Sequence, residues 1–236
     1  MLLTPPLAVL AHRLAPQPVT FLMTERMFEG LGMQRSWRGL DRISPNLVYA
    51  AIAAEDSRFC SHHGFDIEAI QRALKHNEKK PKQLRGGSTI SQQAAKNVFL
   101  WPGRDWVRKG LEAGYTVLIE TLWGKRRTME VYLNAVEWGP GIYGAQAASR
   151  HWFGVDADQL SPRQAAGLAA ILPSPRKWKP VGGGPYIRRR VTRIQAAMGV
   201  VRNDGLARCV IASDKAPAAA PKPKRPKGRA RRRHRS

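Results

Sequence analysis

Apolar residues recur at helical spacing through most of this chain, and that periodicity limits its fold more than any other feature of the sequence. One helix is predicted to end at Glu55, with an apolar face made of Leu47, Val48, Ala51 and Ile52. The same spacing predicts further helices over residues 21–28, 66–76, 88–100, 106–123, 126–137, 142–152, 162–172 and 186–202. No strand-like alternation of any length is present, so the sequence predicts a mainly α-helical fold.

The length of 236 residues and an apolar fraction of 43% suit one domain with a sizeable core, flanked by two tails. We assign residues 15–211 to that domain. Residues 1–14 hold an apolar run that is too short for the ~20 residues needed to span a bilayer. Two interpretations of this run stay open: a disordered apolar start, or the remnant of an N-terminal membrane anchor. Residues 212–236 are dominated by Ala, Pro, Lys and Arg, a composition that predicts a disordered basic tail.

Positive charge is the strongest compositional signal. The chain has 40 Lys and Arg against 17 Asp and Glu, a net charge of +23. Residues 214–236 hold ten of the basic residues and one acid, which leaves 30 basic and 16 acidic residues, or a net charge of +14, for residues 1–213. An anionic partner is therefore expected. The composition alone leaves nucleic acid, a phosphate-bearing substrate and an acidic membrane surface open.

The two cysteines, Cys60 and Cys209, lie far apart in the sequence and have no CxxC or Cys/His metal-binding spacing. Neither a disulfide framework nor a zinc site is indicated by this pattern. Both cysteines are therefore interpreted as free thiols, and they leave the redox compartment of the protein undetermined.

The first cluster that could carry chemistry is Glu55-Asp56 at the end of a predicted helix, where a carboxylate meets the negative end of the helix dipole. Partial burial against Phe59 would raise the pKa of such a carboxyl group, which suits a general base. The alternative is a solvated helix end in which the acids pair with Arg58. The nearby His62-His63 pair lacks a third ligand, so hydrogen bonding is favoured over metal binding.

The second cluster follows the glycine pair Gly86-Gly87. Five of the six side chains from Ser88 to Gln93 carry hydrogen-bonding groups, a density that an ordinary core helix does not have. Backbone N–H groups exposed by the glycines, together with Ser88, Thr89 and Lys96, could hold a phosphate. The spacing differs from that of a Walker loop, so a nucleotide-binding loop is not indicated.

The third cluster consists of Arg108, Lys109 and Glu112. Residues three and four positions apart share one face of a helix, so the acid can pair with both cations. A surface ion pair accounts for this pattern when it is considered in isolation.

Together these clusters resemble the ordered motifs of the family-51 glycosyltransferases, most closely the monofunctional biosynthetic peptidoglycan transglycosylases. The first family motif, Glu-Asp-x-x-Phe-x-x-His-x-Gly-x-Asp, is matched from Glu55 to Asp66. The second, Gly-Gly-Ser-Thr-Ile-Ser/Thr-Gln-Gln with a Lys three residues on, is matched from Gly86 to Lys96. The third, Arg-Lys-x-x-Glu, is matched from Arg108 to Glu112. Residues 125–134 and 141–154 resemble the fourth and fifth motifs, so the similarity extends over residues 43–180.

The resemblance implies a lysozyme-like helical lobe plus a smaller, membrane-proximal lobe, with the active site in a cleft between them. It also implies polymerisation of lipid II, a lipid-linked disaccharide pyrophosphate, into β-1,4-linked glycan strands for cell wall biosynthesis. In that reaction the 4-hydroxyl of GlcNAc attacks C1 of MurNAc with inversion and releases undecaprenyl pyrophosphate. A Ser-x-x-Lys motif is absent after residue 180, so no crosslinking activity is expected.

By the same resemblance, Glu55 and Glu112 are the catalytic acids. Glu55 would take the proton of the attacking hydroxyl, and Glu112 would assist departure of the pyrophosphate, either through a divalent ion or by orienting neighbouring cations. The expected substrate-binding residues are Asp56, Ser88, Thr89, Gln92, Gln93, Lys96, Arg104, Arg108 and Lys109. No ligand cluster in the sequence demands a cofactor, although Mg²⁺ or Mn²⁺ is compatible with the chemistry.

The expected partners are the lipid-linked substrate, the growing glycan strand, the membrane surface and other cell-wall or division proteins, and no nucleic acid. The expected location is the bacterial inner membrane, with the catalytic domain on the periplasmic side. Two rival interpretations are considered. A lytic muramidase also uses a Glu in a helical cleft, but it expels no pyrophosphate and has no need of the second and third clusters. A nucleic-acid-binding protein would account for the charge and the Arg-rich tail.

Overall fold

Ten α-helices form most of the part of the chain that the structure describes, a computed structural model of residues 4–17, 19–103 and 105–211. The helices are α1 (Thr4–Leu14), α2 (Phe21–Phe28), α3 (Pro45–Glu55), α4 (Ile67–Lys79), α5 (Ile90–Phe99), α6 (Trp106–Leu122), α7 (Gly124–Ala135), α8 (Ala145–Phe153), α9 (Pro162–Ile171) and α10 (Pro185–Asn203). The strands are β1 (Gln34–Arg35), β2 (Glu137–Gly139) and β3 (Ile142–Tyr143), and two 3₁₀ helices lie at Leu40–Arg42 and Ala157–Gln159. The mainly α-helical fold predicted from the sequence, that of a lysozyme-like domain, is confirmed.

Side-chain caps determine where several helices begin. Ser44 caps α3, and Asp66 caps α4 by accepting the N–H of Ala69 at 2.9 Å. Ser161 caps α9, which has a proline at its first position. These residue types in front of a helical pattern are recognisable in the sequence. The boundaries of α2 to α10 lie within three residues of the predicted ones, whereas α1 is a helix that the sequence did not predict.

The helices pack in two groups that share one core. α3 packs against α9 and α10, while α5 packs against α6 and α7. Buried apolar side chains from both groups belong to a single cluster, which includes Ile52, Leu133 and Leu168. The end of α3 meets the start of α5, because the Asp56 carboxylate accepts the backbone N–H of Ile90 at 3.0 Å. This meeting point is where the first two sequence motifs come together.

A small sheet is present where the sequence predicts no strands. Its order is β1-β3-β2, with β3 parallel to β1 and antiparallel to β2. Each strand has only two or three residues, too few for an alternation of polar and apolar side chains to appear. The helix predicted to start at residue 142 starts instead at Ala145, because Ile142 and Tyr143 form β3.

Cys60 and Cys209 form a disulfide bond, with their Cα atoms 5.5 Å apart, so the interpretation of both as free thiols is wrong. Cys60 follows α3 in the sequence and Cys209 follows α10, and these two helices pack together. The pairing joins residues that are 149 positions apart. Because the pairing depends on tertiary packing, the spacing of the cysteines in the sequence could not reveal the disulfide.

The N-terminal helix α1 packs against α6. Val9 is fully buried, and its carbonyl accepts a hydrogen bond of 2.7 Å from Trp123 Nε1. Within the described residues, no helix is both long enough and apolar enough to cross a bilayer. The anchor remnant at residues 1–14 is described only from Thr4 and stays a prediction, and the basic tail at 212–236 lies outside the described residues.

Candidate active site

Glu55 is the last residue of α3, and its carboxylate lies between α5 and α10. Gln93 Nε2 of α5 donates to Glu55 Oε2 at 3.0 Å, and Arg190 Nη2 of α10 lies 3.8 Å from Oε1. The Glu55 side chain is 15% exposed. Burial raises the pKa of this carboxyl group, and it outweighs the opposing effects of the Gln93 hydrogen bond and the nearby cations. A carboxylate with a raised pKa is suited to accept a proton near neutral pH.

Asp56 fixes the loop that follows α3. Its carboxylate is bonded by His62 Nε2 at 3.0 Å and by the N–H of Ile90, the first residue of α5. The backbone N–H of Gly64 donates to His62 Nδ1 at 3.2 Å, so the imidazole proton is on Nε2, facing Asp56. His62 has the hydrogen-bonding role that the sequence favours over metal binding. Gly64 has a φ of +90°, and a Cβ at this position would lie 2.8 Å from a methyl group of Thr116, so only glycine fits.

The first turn of α5 is bonded to the same loop. The Thr89 hydroxyl donates to the carbonyl of Gly64 at 2.6 Å and accepts the N–H of Gln92 at 3.2 Å. Gln92 Oε1 accepts the N–H of Thr89 at 3.0 Å, which completes a capping box. Both side chains are buried. Thr89 and Gln92, two of the polar side chains between Ser88 and Gln93, therefore help to form the wall of the site.

Tyr132 of α7 determines which way the Gln93 amide faces. The Tyr132 hydroxyl is fully buried, and burial raises its pKa well above the ordinary value, so it stays protonated. It donates to Gln93 Oε1 at 3.4 Å. With its oxygen bound in this way, the amide presents Nε2 to Glu55.

Glu112 forms a buried ion-pair cluster with two cations of α6. Arg108 Nη1 donates to Glu112 Oε2 at 2.8 Å, and Lys109 Nζ donates to Oε1. The Arg108 and Glu112 side chains are 8% and 3% exposed, so the surface ion pair considered for this motif is not what forms. Lys109 Nζ also donates to Ser88 Oγ at 3.3 Å, which links α6 to the segment before α5.

Lys96 of α5 lies in the electrostatic field of both acids. Burial is the main cause that lowers the pKa of its ammonium group, and Arg108 and Lys109 lower it further. Glu112 and Glu55 raise the same pKa. Glu55 is bonded by Gln93 of α5, and Glu112 is linked through Lys109 to Ser88 just before α5, so both acids lie beside the same helix.

A cleft of about 100 Å³ opens beside Glu55. It is lined by Glu55, Asp56, Ser57, Asp66, Ala69, Arg72, Gly86, Gly87, Ser88 and Thr89. Within this lining Arg72 of α4 pairs with Asp66, and Ser88 connects the cleft to Lys109. The first two motifs thus form the cleft, and the third borders it.

The structure brings together every predicted site residue that it describes, and Arg104 lies outside the described residues. Whether each of them contacts substrate stays a prediction, and the bonds of Asp56, Thr89 and Gln92 to other protein groups show how they hold the wall of the site. Sequence analysis did not identify Arg190. It is one of three consecutive arginines at 188–190, and only the packing of α10 against α3 selects the one that faces Glu55.

The groups around Glu112 do not fit a divalent cation. Mg²⁺ prefers several oxygen ligands, whereas both oxygens of Glu112 are already bound by Arg108 and Lys109. Across residues 4–17, 19–103 and 105–211, no group of three or more His, Cys, Asp or Glu is placed to hold a metal ion. Of the two roles considered for Glu112, this arrangement favours orientation of the cations.

Residues 24–199 match the family model described as transglycosylase. Three similar proteins are named biosynthetic peptidoglycan transglycosylase. The one from Caulobacter vibrioides is 59% identical over 206 residues, which cover 87% of this chain and 90% of the relative. The one from Rhodospirillum centenum is 53% identical over 85% of this chain and 87% of its own length, and the one from Pseudomonas aeruginosa is 52% identical over 81% and 85%. The chain therefore belongs to the transglycosylase family.

Proposed function

We propose that this peptidoglycan glycosyltransferase extends glycan strands from a lipid-linked disaccharide pyrophosphate, with Glu55 as the general base. One observation carries the proposal: Glu55 is bonded by Gln93 of α5, and the ion-pair cluster of Glu112 is bonded through Lys109 to Ser88, just before the same helix. A proton acceptor and a cationic cluster in one site suit a reaction in which a hydroxyl attacks and a pyrophosphate leaves.

The bond changes follow from this arrangement. Glu55 takes the proton of the acceptor 4-hydroxyl while that oxygen forms a bond to C1 of MurNAc. The bond from C1 to the pyrophosphate oxygen breaks, and its electron pair leaves with undecaprenyl pyrophosphate. A single displacement of this kind inverts the configuration at C1.

The cations stabilise the negative charge that develops on the leaving group. Lys96 is half-buried, so water screens its charge less than it screens the charge of a fully exposed lysine. Lys109 is 40% exposed and reaches Ser88 at the edge of the cleft. Glu112 binds Arg108 and Lys109 at once, and we assign it the role of holding these two cations in place.

We further propose that an apolar patch on the first turns of α6 docks on the membrane surface. We define the patch as Trp101, Trp106, Val107 and Leu111, and Trp106 and Val107 are 90% and 72% exposed. Val107 and Leu111 are four residues apart and share a helix face, and the net positive charge of the chain favours anionic lipid headgroups. Docking here would bring the cleft to the surface in which a lipid-linked substrate is anchored.

We place this surface on the periplasmic side of the bacterial inner membrane. Peptidoglycan synthesis occurs in the cell envelope, and the Cys60–Cys209 disulfide supports an oxidising compartment such as the periplasm. The apolar patch gives the domain a means of contact with the membrane that does not depend on a spanning helix.

The polymerisation assay tests the proposed reaction directly. The full chain, incubated with the purified lipid-linked substrate, should form strands that lysozyme digests. Removing residues 214–236 should leave most of this activity, because the site lies within residues 24–199. If the chain acts instead as a nucleic-acid-binding protein, it will form no strands, and the same truncation will abolish most of its binding to DNA or RNA.

The docking proposal predicts weaker binding to anionic lipid vesicles when the patch is made polar. Trp106→Ser combined with Val107→Ser removes two exposed apolar side chains, each of which contributes about 1–3 kcal/mol when buried, so binding should fall at least about tenfold. Sedimentation with vesicles of phosphatidylglycerol measures it. Val200→Ser, at an exposed apolar residue of α10, is the matched control and should bind like the unaltered chain. Equal binding of the double variant and the control would refute the docking surface.

A further inference from the structure

The Cys60–Cys209 disulfide lines a second surface cleft, which shares Ser57 with the cleft beside Glu55. This second cleft has a volume of about 330 Å³, and both cysteines are half-buried in its wall. Arg58 and Arg208 line it as well. The disulfide bond is therefore accessible to a reagent in solution, unlike groups that are buried in the core.

We propose that this disulfide is a site of thiol–disulfide exchange with an external dithiol, and that its reduction slows the glycosyl transfer that we assign to Glu55. The inference rests on the proposed function for its catalytic consequence. The exchange itself rests only on the position of the disulfide.

The disulfide lies close to the base in the sequence and joins the two segments that follow α3 and α10. Glu55 and Cys60 are five residues apart, and Asp56 and His62 hold the loop between them. On the other side, Cys209 follows α10, the helix whose Arg190 lies 3.8 Å from Glu55. One bond thus joins the loop that carries the base to the segment that follows the arginine beside it.

The segment that carries Cys209 is itself anchored. Ala207 and Val210 are buried in the core, and Arg126 Nη1 donates to the carbonyl of Val210 at 2.7 Å. Breaking the disulfide would leave this segment in place. The loop after Glu55 would keep its hydrogen bonds, the buried Phe59 and the ion pair of Arg58 with Glu68, but it would lose its covalent link to the segment after α10, so the effect of reduction should appear in this loop.

The chemistry needs only a dithiol as reductant. Its thiolate attacks one cysteine sulfur, and the bond between the two sulfurs breaks as the other cysteine leaves as a thiolate. The second thiol of the reductant then attacks the mixed disulfide. The products are Cys60 and Cys209 as free thiols and the oxidised cyclic disulfide of the reductant. The positive charges of Arg58 and Arg208 in the same cleft favour a thiolate leaving group, and Arg208 has no carboxylate partner among the described residues.

The test compares the oxidised and the reduced full-length chain. Dithiothreitol is added under native conditions, and labelling with a maleimide of known mass counts the free thiols. Two free thiols per chain should appear without unfolding, as judged by circular dichroism. The kcat for polymerisation should fall about tenfold with little change in KM, because small displacements of a catalytic group cost up to ~10²-fold in rate. Reoxidation should restore the rate.

The matched variant is the double substitution Cys60→Ser and Cys209→Ser. It should have the low kcat of the reduced chain and should not respond to dithiothreitol, which excludes an effect of the reagent elsewhere. Hydrogen exchange should accelerate in residues 57–64 and stay unchanged in α9, a local effect that general destabilisation would not give.

These measurements separate the two proposals. An oxidised chain that forms no strands would overturn the proposed function, and the thiol count and hydrogen exchange would still decide whether the disulfide exchanges and loosens the loop. A reduced, folded chain with an unchanged kcat would overturn the catalytic consequence. A disulfide that resists dithiothreitol until the chain unfolds would overturn the exchange itself.

Discussion

Replacing Glu55 with Gln should lower the rate of glycan polymerisation by about 10²–10⁴-fold, the usual contribution of a general base. Gln has the shape of Glu, and its amide oxygen can still accept the hydrogen bond from Gln93, so the local structure should be retained. The variant loses the ability to take a proton from the acceptor hydroxyl. Because that loss affects the transition state and not the bound substrate, kcat should fall while KM changes little. Initial rates with the purified lipid-linked substrate measure both constants.

Glu78→Gln is the matched control for this substitution. Glu78 is an exposed acid of α4 that does not line the cleft beside Glu55, so its variant should polymerise at the original rate. A rate for Glu55→Gln within about tenfold of the unaltered chain would mean that another group is the base.

The pH dependence of kcat gives a second test of the same residue. Burial raises the pKa of Glu55 above its ordinary value of 4.5, although Arg190 and Lys96 oppose this effect. The carboxylate is the form that accepts a proton, so kcat should increase with pH as this group ionises, at a pH above that of an ordinary Glu. The residual activity of the Gln variant should not show this increase of kcat with pH.

Replacing Lys96 with Met should lower kcat by about 10²–10³-fold, the range found when one group that stabilises developing charge is removed. Met keeps most of the volume and the flexible apolar stem of Lys at this half-buried position. Glu112 keeps Arg108 and Lys109 as partners, so the substitution leaves no unpaired buried acid and the fold should persist. Steady-state kinetics with varied concentrations of the lipid-linked donor measure the loss.

Lys177→Met tests whether the loss of any single positive charge would have the same effect. Lys177 is exposed and lies outside the cleft, so its variant should keep the original kcat. Burial also lowers the pKa of Lys96, and its ammonium group loses its proton as the pH rises. The unaltered chain should therefore lose activity at high pH through this group, and unchanged donor kinetics in the Lys96 variant would contradict its assigned role.

Helices could be predicted from this sequence because their signals are local. Ser44, Asp66 and Ser161 mark helix starts, and the apolar spacing after each of them spans several turns. The strands β1 to β3 have no such signal, since two or three residues cannot show a period and β1 pairs with a strand more than a hundred residues away. The disulfide was missed for the same reason, because only the packing of α3 against α10 brings its cysteines together.

The sequence predicts which residues form the site more completely than it predicts how those residues are arranged in space. The motifs identified Glu55, Lys96 and Glu112, but nothing in their spacing shows that both acids act on one ammonium group. The motifs predict that polar residues such as Thr89 bind substrate, and the structure also gives them helix-capping bonds. Arg190 lies beyond the motifs, so its place beside Glu55 appears only once the chain is folded.

The bonds that join the loop after α3 to the first turn of α5 have a consequence for repeated turnover. Asp56 bonds Ile90, and Thr89 bonds Gly64, so the loop after α3 and the start of α5 are tied together by two hydrogen bonds. A polymer grows by many repeats of the same step, and any reorganisation of the protein would recur with every sugar pair that is added. The orientation of the Glu55 carboxylate is established once, when the chain folds, and it persists for each successive addition.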